Sequence, residues 1–214
     1  MKKPQFLTAV LVIACIIGGA MVGLMVFRHQ EIKPPAHPGI EGLLWPSPRS
    51  LMSFTVTDHH GRPFALEQLS GKWSLLFFGF THCPDICPIT LSVLRDFYGK
   101  LAGANAAGDV QIIFVTVDPA RDTPEQVANY VRYFHEQFIG LTGTEEQIAT
   151  LTGQLGVLSY KVDNNENYAV DHSASVFLIS PAGAWVGIFS PPQQAEDIHA
   201  RFNAIRKFID SQNK

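Results

Sequence analysis

The sequence predicts an α/β domain in which a central sheet carries helices on both faces, and three observations predict it. Two continuous apolar runs of strand length, "WSLLFFGF" (73–80) and "VQIIFVTV" (110–117), read as strands buried on both sides. Each is followed by a segment with helical apolar spacing. Hairpin patterns flank this β-α-β-α centre on either side, and that order of elements implies a two-faced sheet.

The elements follow in chain order. "FTVTDHHGRPFAL" (54–66) alternates around a His-Gly turn as a hairpin does, with Phe54, Val56 and Phe64 as its buried face. His59 and His60 stand at the turn tip, where solvated turn residues are expected. After the first buried strand a helix is expected from about Pro84 to Leu101. The second buried strand ends at Asp118-Pro119, and "DTPEQVANYVRYFHEQF" opens a second helix. Thr123 is its cap, Pro124 its first position and Glu125 an acid in its first turn. Val127, Tyr130, Val131 and Phe134 recur on one face of it. A short helix is expected at Thr144 to Leu155. "SVFLIS" and "WVGIF", joined by a turn at Pro181-Ala182-Gly183, read as a second hairpin. Ile198, Phe202, Ile205 and Phe208 mark an amphipathic C-terminal helix.

The chain has 214 residues, 46% of them apolar and 16% charged, enough for one domain of ordinary size with a core. Its net charge of -3 and the lack of Lys/Arg clusters exclude the electrostatic footprint that nucleic-acid binding needs. The sequence divides into an N-terminal membrane anchor (1–28), a Pro-rich tether (29–50) and the folded domain (51–214). The anchor reading rests on the uncharged run Phe6 to Phe27, which as a helix rising about 1.5 Å per residue spans a bilayer core of about 30 Å. A cleaved signal peptide is the competing reading, but the run exceeds the usual ~7–15 residues of such a segment. Lys2 and Lys3 bias the N-terminus towards the cytoplasm and the domain to the outside. The tether holds five of the chain's fourteen prolines and no apolar periodicity. Cys15, in "VIAC", loosely matches a lipid-attachment signal; the alternative is a cysteine packed as a small hydrophobe.

Cys83 and Cys87, in "FGFTHCPDICPITL", are the remaining cysteines. They stand where a buried strand hands over to a helix, at a sheet edge where active sites collect. Helix-start amides and the helix dipole favour their thiolates. Four residues apart on one helix face, their sulfurs suit a disulfide, a redox pair or two ligands of one metal ion. A structural disulfide is the weakest of these, because a loop this short constrains little chain entropy. In an oxidising compartment the pair would normally form a disulfide. Pro84 and Pro88 stiffen the backbone after each sulfur.

"FGFTHCPDICPITL", "FVTVDPARDTPE" and "VDHSASVFLIS" together resemble the signature segments of the Sco/SenC family, copper chaperones and thiol-disulfide proteins of cytochrome c oxidase assembly. The resemblance covers Leu51 to about Gln212. It implies a thioredoxin-like fold, copper as cargo, and a site of Cys83, Cys87 and His172. It further implies delivery of copper to the dinuclear site of cytochrome c oxidase subunit II, with other copper chaperones or thiol reductants as further partners. Two soft thiolates suit Cu(I), and an added imidazole suits Cu(II) as well. His82 and Asp171 are candidates for supporting the ligands, and Asp85 for favouring the helix start. "DPARDTPE" reads as a strand exit and helix cap, without chemistry. A thiol-disulfide reductase that keeps the acceptor's cysteines reduced is the alternative function, needing only the cysteines. A zinc site is a third reading of two cysteines and a histidine. With no Arg- and Ser-rich transit segment in front of the anchor, the expected location is a bacterial inner membrane with the domain in the periplasm, ahead of the mitochondrial intermembrane space.

Overall fold

A computed structural model describes residues 18, 19, 21, 40, 42–44, 47–161 and 170–212, without the side chains of Lys161 and Asp171. The chain divides into two units, 1–37 and 38–214, and the second carries the fold. The expected anchor, Cys15 within it, and the first part of the tether lie outside the described residues, apart from the helical Gly18, Gly19 and Met21. No helix among the described residues is long and apolar enough to cross a membrane.

Strands β1 (Arg49–Ser50), β2 (Thr55–Asp58), β3 (Pro63–Ala65), β4 (Trp73–Gly79), β5 (Val110–Thr116), β6 (Ile139–Thr142), β9 (Val176–Ile179) and β10 (Ala184–Phe189) make one sheet. A separate ribbon pairs β7 (Ser159–Lys161) with β8 (Val170–His172). The sheet order is β1-β10-β9-β4-β5-β6-β2-β3, with β4, β5 and β6 parallel and the flanking pairs antiparallel. The α-helices are α1 (Ile86–Gly103), α2 (Pro124–Phe134), α3 (Glu145–Leu155) and α4 (Ala195–Gln212).

The continuous apolar runs are explained by alternation across the sheet. Leu75 and Phe77 of β4, with Ile112 and Phe114 of β5, face Leu91, Leu94 and Phe97 of α1, Val127 and Val131 of α2, and Phe202 and Ile205 of α4. Leu76, Phe78, Ile113 and Val115 point the other way, onto Ile148, Leu151 and Leu155 of α3 and onto Phe54, Val56 and Phe64. Successive side chains in a strand take opposite faces, so a strand covered on both must be apolar throughout. Capping boxes start α2 and α3, with Thr123 Oγ1 accepting from the Gln126 amide and Thr144 Oγ1 from that of Gln147.

Four expectations need correction. The folded unit begins before Leu51: Leu44 donates to Val186 O, Ile188 to Gly42 O, and Arg49–Ser50 pairs with β10. Ile40 and Leu43 are the apolar residues in the supposed tether that draw it onto the core. Between α2 and α3 lies the strand β6, too short in "IGLT" to show a pattern. Gly140 fits there because a Cβ would meet Val127 Cγ1 at 2.3 Å. Lastly, α1 begins at Ile86, not Pro84, and Asp85 caps it without a side-chain hydrogen bond. His59, expected to be solvated, is half-buried and its Nδ1 accepts from the Gly140 amide at 2.9 Å.

Candidate metal centre

Three chain segments meet at the C-terminal end of β4. Cys87 is the second residue of α1 and fully buried, whereas Cys83 lies on the preceding loop, half-buried, its amide donating to Phe80 O at 3.2 Å. The pair therefore does not share one helix face as its spacing suggests. One sulfur is fixed by a helix and the other by a loop. Both cysteines are free thiols in this structure.

His172 is the last residue of β8, opposite Ser159 in the ribbon. The chain passes directly into β9, which lies antiparallel to β4 with Val176 against Phe77. That register carries His172 to the cysteines. Its Nε2 is 3.3 Å from Cys87 Sγ, and its Nδ1 is 3.2 Å from Ser173 O. A carbonyl only accepts, so Nδ1 is the nitrogen that donates to Ser173 O, and Nε2 faces the sulfurs. Phe77 and Phe80 hold the imidazole edge-on, with ring centroids 6.2 and 5.9 Å away. The donor atoms of Cys83, Cys87 and His172 all lie within 4.8 Å of one another. Metal-ligand bonds from sulfur and imidazole of roughly 2.0–2.3 Å would fit a single ion among them with small adjustments.

The two sulfurs are electrostatically unequal. A hydrogen bond from the Cys87 thiol, reinforced by one with His172 and then by the Asp85 and Cys87 backbone amides, overrides burial and pulls the Cys83 thiol down to about 3. The same hydrogen bond, then burial and the Cys83 charge, push the Cys87 thiol up.

The sequence reading missed several residues that shape the centre. Gly79 ends β4 where a Cβ would stand 2.6 Å from Cys87 Sγ and 3.0 Å from Phe114 Cε2, so only glycine lets the helix start approach the strand. A glycine inside an otherwise apolar strand was the available signal. Asp122, in the segment read as a cap without chemistry, is fully buried and bonded to the loop before Cys83. His82, proposed as a support for the ligands, is exposed, with Nδ1 3.1 Å from Thr81 Oγ1 and 3.7 Å from Asp122 Oδ1. The Asp171 side chain lies outside what the structure describes.

A mixed sheet with helices on both faces, bearing two cysteines at the β4–α1 junction and a histidine before β9, defines a thioredoxin-like domain with a thiolate-imidazole centre. The family model described as SCO1/SenC matches residues 46–207, and the chain belongs to that family. It is similar to a putative copper-binding protein of Stutzerimonas stutzeri, with 40% identity over 157 residues covering 73% of this chain and 76% of that one. It is 41% identical to the mitochondrial SCO2 homolog of Bos taurus over 152 residues, 68% of this chain and 55% of that protein. The chain thus spans just over half of that mitochondrial relative. Among solved structures, Arabidopsis thaliana ScoI with copper bound superposes with a TM-score of 0.67 at 34% identity, covering 74% of this chain and 98% of that one.

Proposed function

We propose that this protein takes up copper through Cys83, Cys87 and His172 and hands it on during cytochrome c oxidase assembly, the process its family serves. One observation carries the reading: donor atoms from a loop, a helix and a ribbon converge within 4.8 Å although they are remote in sequence. The copper-bound plant relative and the copper-binding bacterial one support the choice of metal. So does the donor set, since soft thiolates select Cu(I) and an imidazole extends the site to Cu(II). Zinc is disfavoured as a structural ion, because no fourth His, Cys, Asp or Glu joins the cluster among the described residues.

The acceptor in this reading is the dinuclear copper site of subunit II. Half-buried Cys83 is the ligand an incoming thiolate displaces first, while buried Cys87 lets go last. The apolar run at 6–27 would tether the domain to a membrane, and its flanking charges favour the periplasmic side of a bacterial inner membrane.

The unequal thiols favour a second reading beside the first, reduction of the acceptor's disulfide. The Cys83 thiolate attacks one acceptor sulfur, forming a mixed disulfide and expelling the other acceptor thiolate. The Cys87 sulfur, its proton lost, then attacks Cys83 and releases the second acceptor thiolate. The acceptor gains two electrons and this protein ends as the Cys83–Cys87 disulfide. His172→Ala separates the two readings in the full-length protein in detergent. Copper delivery requires that this variant lose Cu(II) binding and oxidase assembly while retaining disulfide reduction. Normal Cu(II) titration by the variant would overturn the ligand assignment, and preferential zinc uptake by the reduced protein would overturn the choice of metal.

A further inference from the structure

Asp122 is 0% exposed, and a carboxylate is costly to bury unless its oxygens are bonded. Its Oδ2 accepts from the Thr81 amide at 2.9 Å and the Thr116 hydroxyl at 2.6 Å, and its Oδ1 from the Thr81 hydroxyl at 2.6 Å. His82 Nδ1 stands 3.7 Å from Oδ1. The main chain of Asp122 is itself fixed: its amide donates to Asp118 O at 3.0 Å, and its carbonyl accepts from Thr142 Oγ1 at 2.8 Å. Asp122 is thus tied to β5 by its carboxylate, through Thr116, and to β6 by its carbonyl, through Thr142, two residues ahead of α2.

What it reaches for is the loop between β4 and α1. Thr81 stands two residues before Cys83, and both of its polar groups on that side end on Asp122. Cys87 needs no such support, being held by α1. The loop's other ties include the 3.2 Å bond from the Cys83 amide to Phe80 O and the edge-on packing of buried Phe80 on His172, and neither acts on Thr81.

We propose that Asp122 is a positioning residue of the metal centre: through Thr81 it holds Cys83 where its sulfur converges with that of Cys87 and with His172 Nε2. The consequence for copper rests on the reading of Cys83 as a ligand. Outer groups that orient ligands typically govern metal affinity by about 10–100-fold, and charge-assisted bonds from a buried anion are the strong kind.

The test uses the full-length protein in detergent with two probes, Cu(I) and a trivalent arsenical that bridges two neighbouring thiols. Thr81→Val removes only the hydroxyl, at a half-buried position where folding should survive, and Asp122→Asn removes the charge. Both variants are expected to release copper and the arsenical about tenfold faster or more, and Thr81→Ser to restore wild-type rates. Thr144→Ala, which loosens the distant cap of α3, controls for stability and should leave both rates unchanged. Wild-type release by both loop variants, or equal acceleration in Thr144→Ala, would overturn the proposal. If the wild-type protein takes up no copper, the ligand reading falls, and the arsenical rates alone decide whether Asp122 positions Cys83.

Discussion

The two cysteines differ in how the fold holds them. Cys87 sits in the first turn of α1, buried against Phe77 and Phe114, at a spot that exists only because residue 79 is glycine. Cys83 hangs on a half-buried loop whose position depends on side-chain hydrogen bonds, and His172 comes in on a short ribbon separate from the main sheet. Of the three proposed ligands, one belongs to the core and two belong to its edge. A centre that must both hold a metal and give it up gains from that division, because the edge ligands can be displaced without disturbing the packing.

The comparison can be broken at its largest effect by removing ligands. Cys83→Ser and Cys87→Ser are each expected to lose more copper affinity than the about 10–100-fold that follows loss of a supporting group. Only Cys87→Ser should also lower thermal stability, since it puts a hydroxyl in the apolar core; competition titration and thermal melting read the two effects. If the two variants melt alike, the core-versus-edge distinction fails.

The thiols should differ nearly as much in reactivity. At pH 7 Cys83 should alkylate with iodoacetamide about 100-fold faster than Cys87, because the thiolate is the nucleophile and access is required. The sign of the pH dependence follows from the direction of the shift. A thiol pulled down to about 3 stays ionised throughout the range from pH 8 to pH 5, so its alkylation rate should stay flat there. An ordinary thiol would slow about tenfold per pH unit below its pKa of about 8.5. Peptide mapping by mass spectrometry against pH reports both residues, and a Cys83 rate that falls steadily from pH 8 would refute the assignment.

Smaller effects sharpen the contrast from the core side. In Gly79→Ala the new methyl must displace Cys87 Sγ or Phe114, an overpacking that costs about 1–3 kcal/mol in urea unfolding. Copper affinity should fall with it if Cys87 Sγ, the nearer of the two and a proposed ligand, is the atom displaced. Thr144→Ala, which removes the α3 cap, should cost about 1 kcal/mol and leave copper affinity alone. A stability loss in Gly79→Ala without any loss of copper would show that the sulfur tolerates displacement.

Much of this was legible in the chain itself. β4 and β5 are unbroken apolar runs because both their faces are covered, and period and length sufficed to find them. Thr123 and Pro124 announced α2 because capping is local chemistry. β6 escaped because four residues are too few for a pattern, and the β7–β8 ribbon because its strands are shorter still. Residues 40–50 were misread because prolines outweighed Ile40 and Leu43, whose burial depends on a sheet edge that the local sequence does not reveal.

The two-faced sheet, the helix that bears Cys87, and the cysteine and histidine types able to bind a soft metal can all be read from the chain. These depend on periodicity, capping and side-chain chemistry, all of which act over a few residues. It takes the folded arrangement to show that His172 reaches the sulfurs, that Gly79 makes room for one of them, and that buried Asp122 is bonded to the loop of the other. Each of those is a contact across dozens of residues, set by strand register and close packing, and no local pattern encodes a distance of that kind.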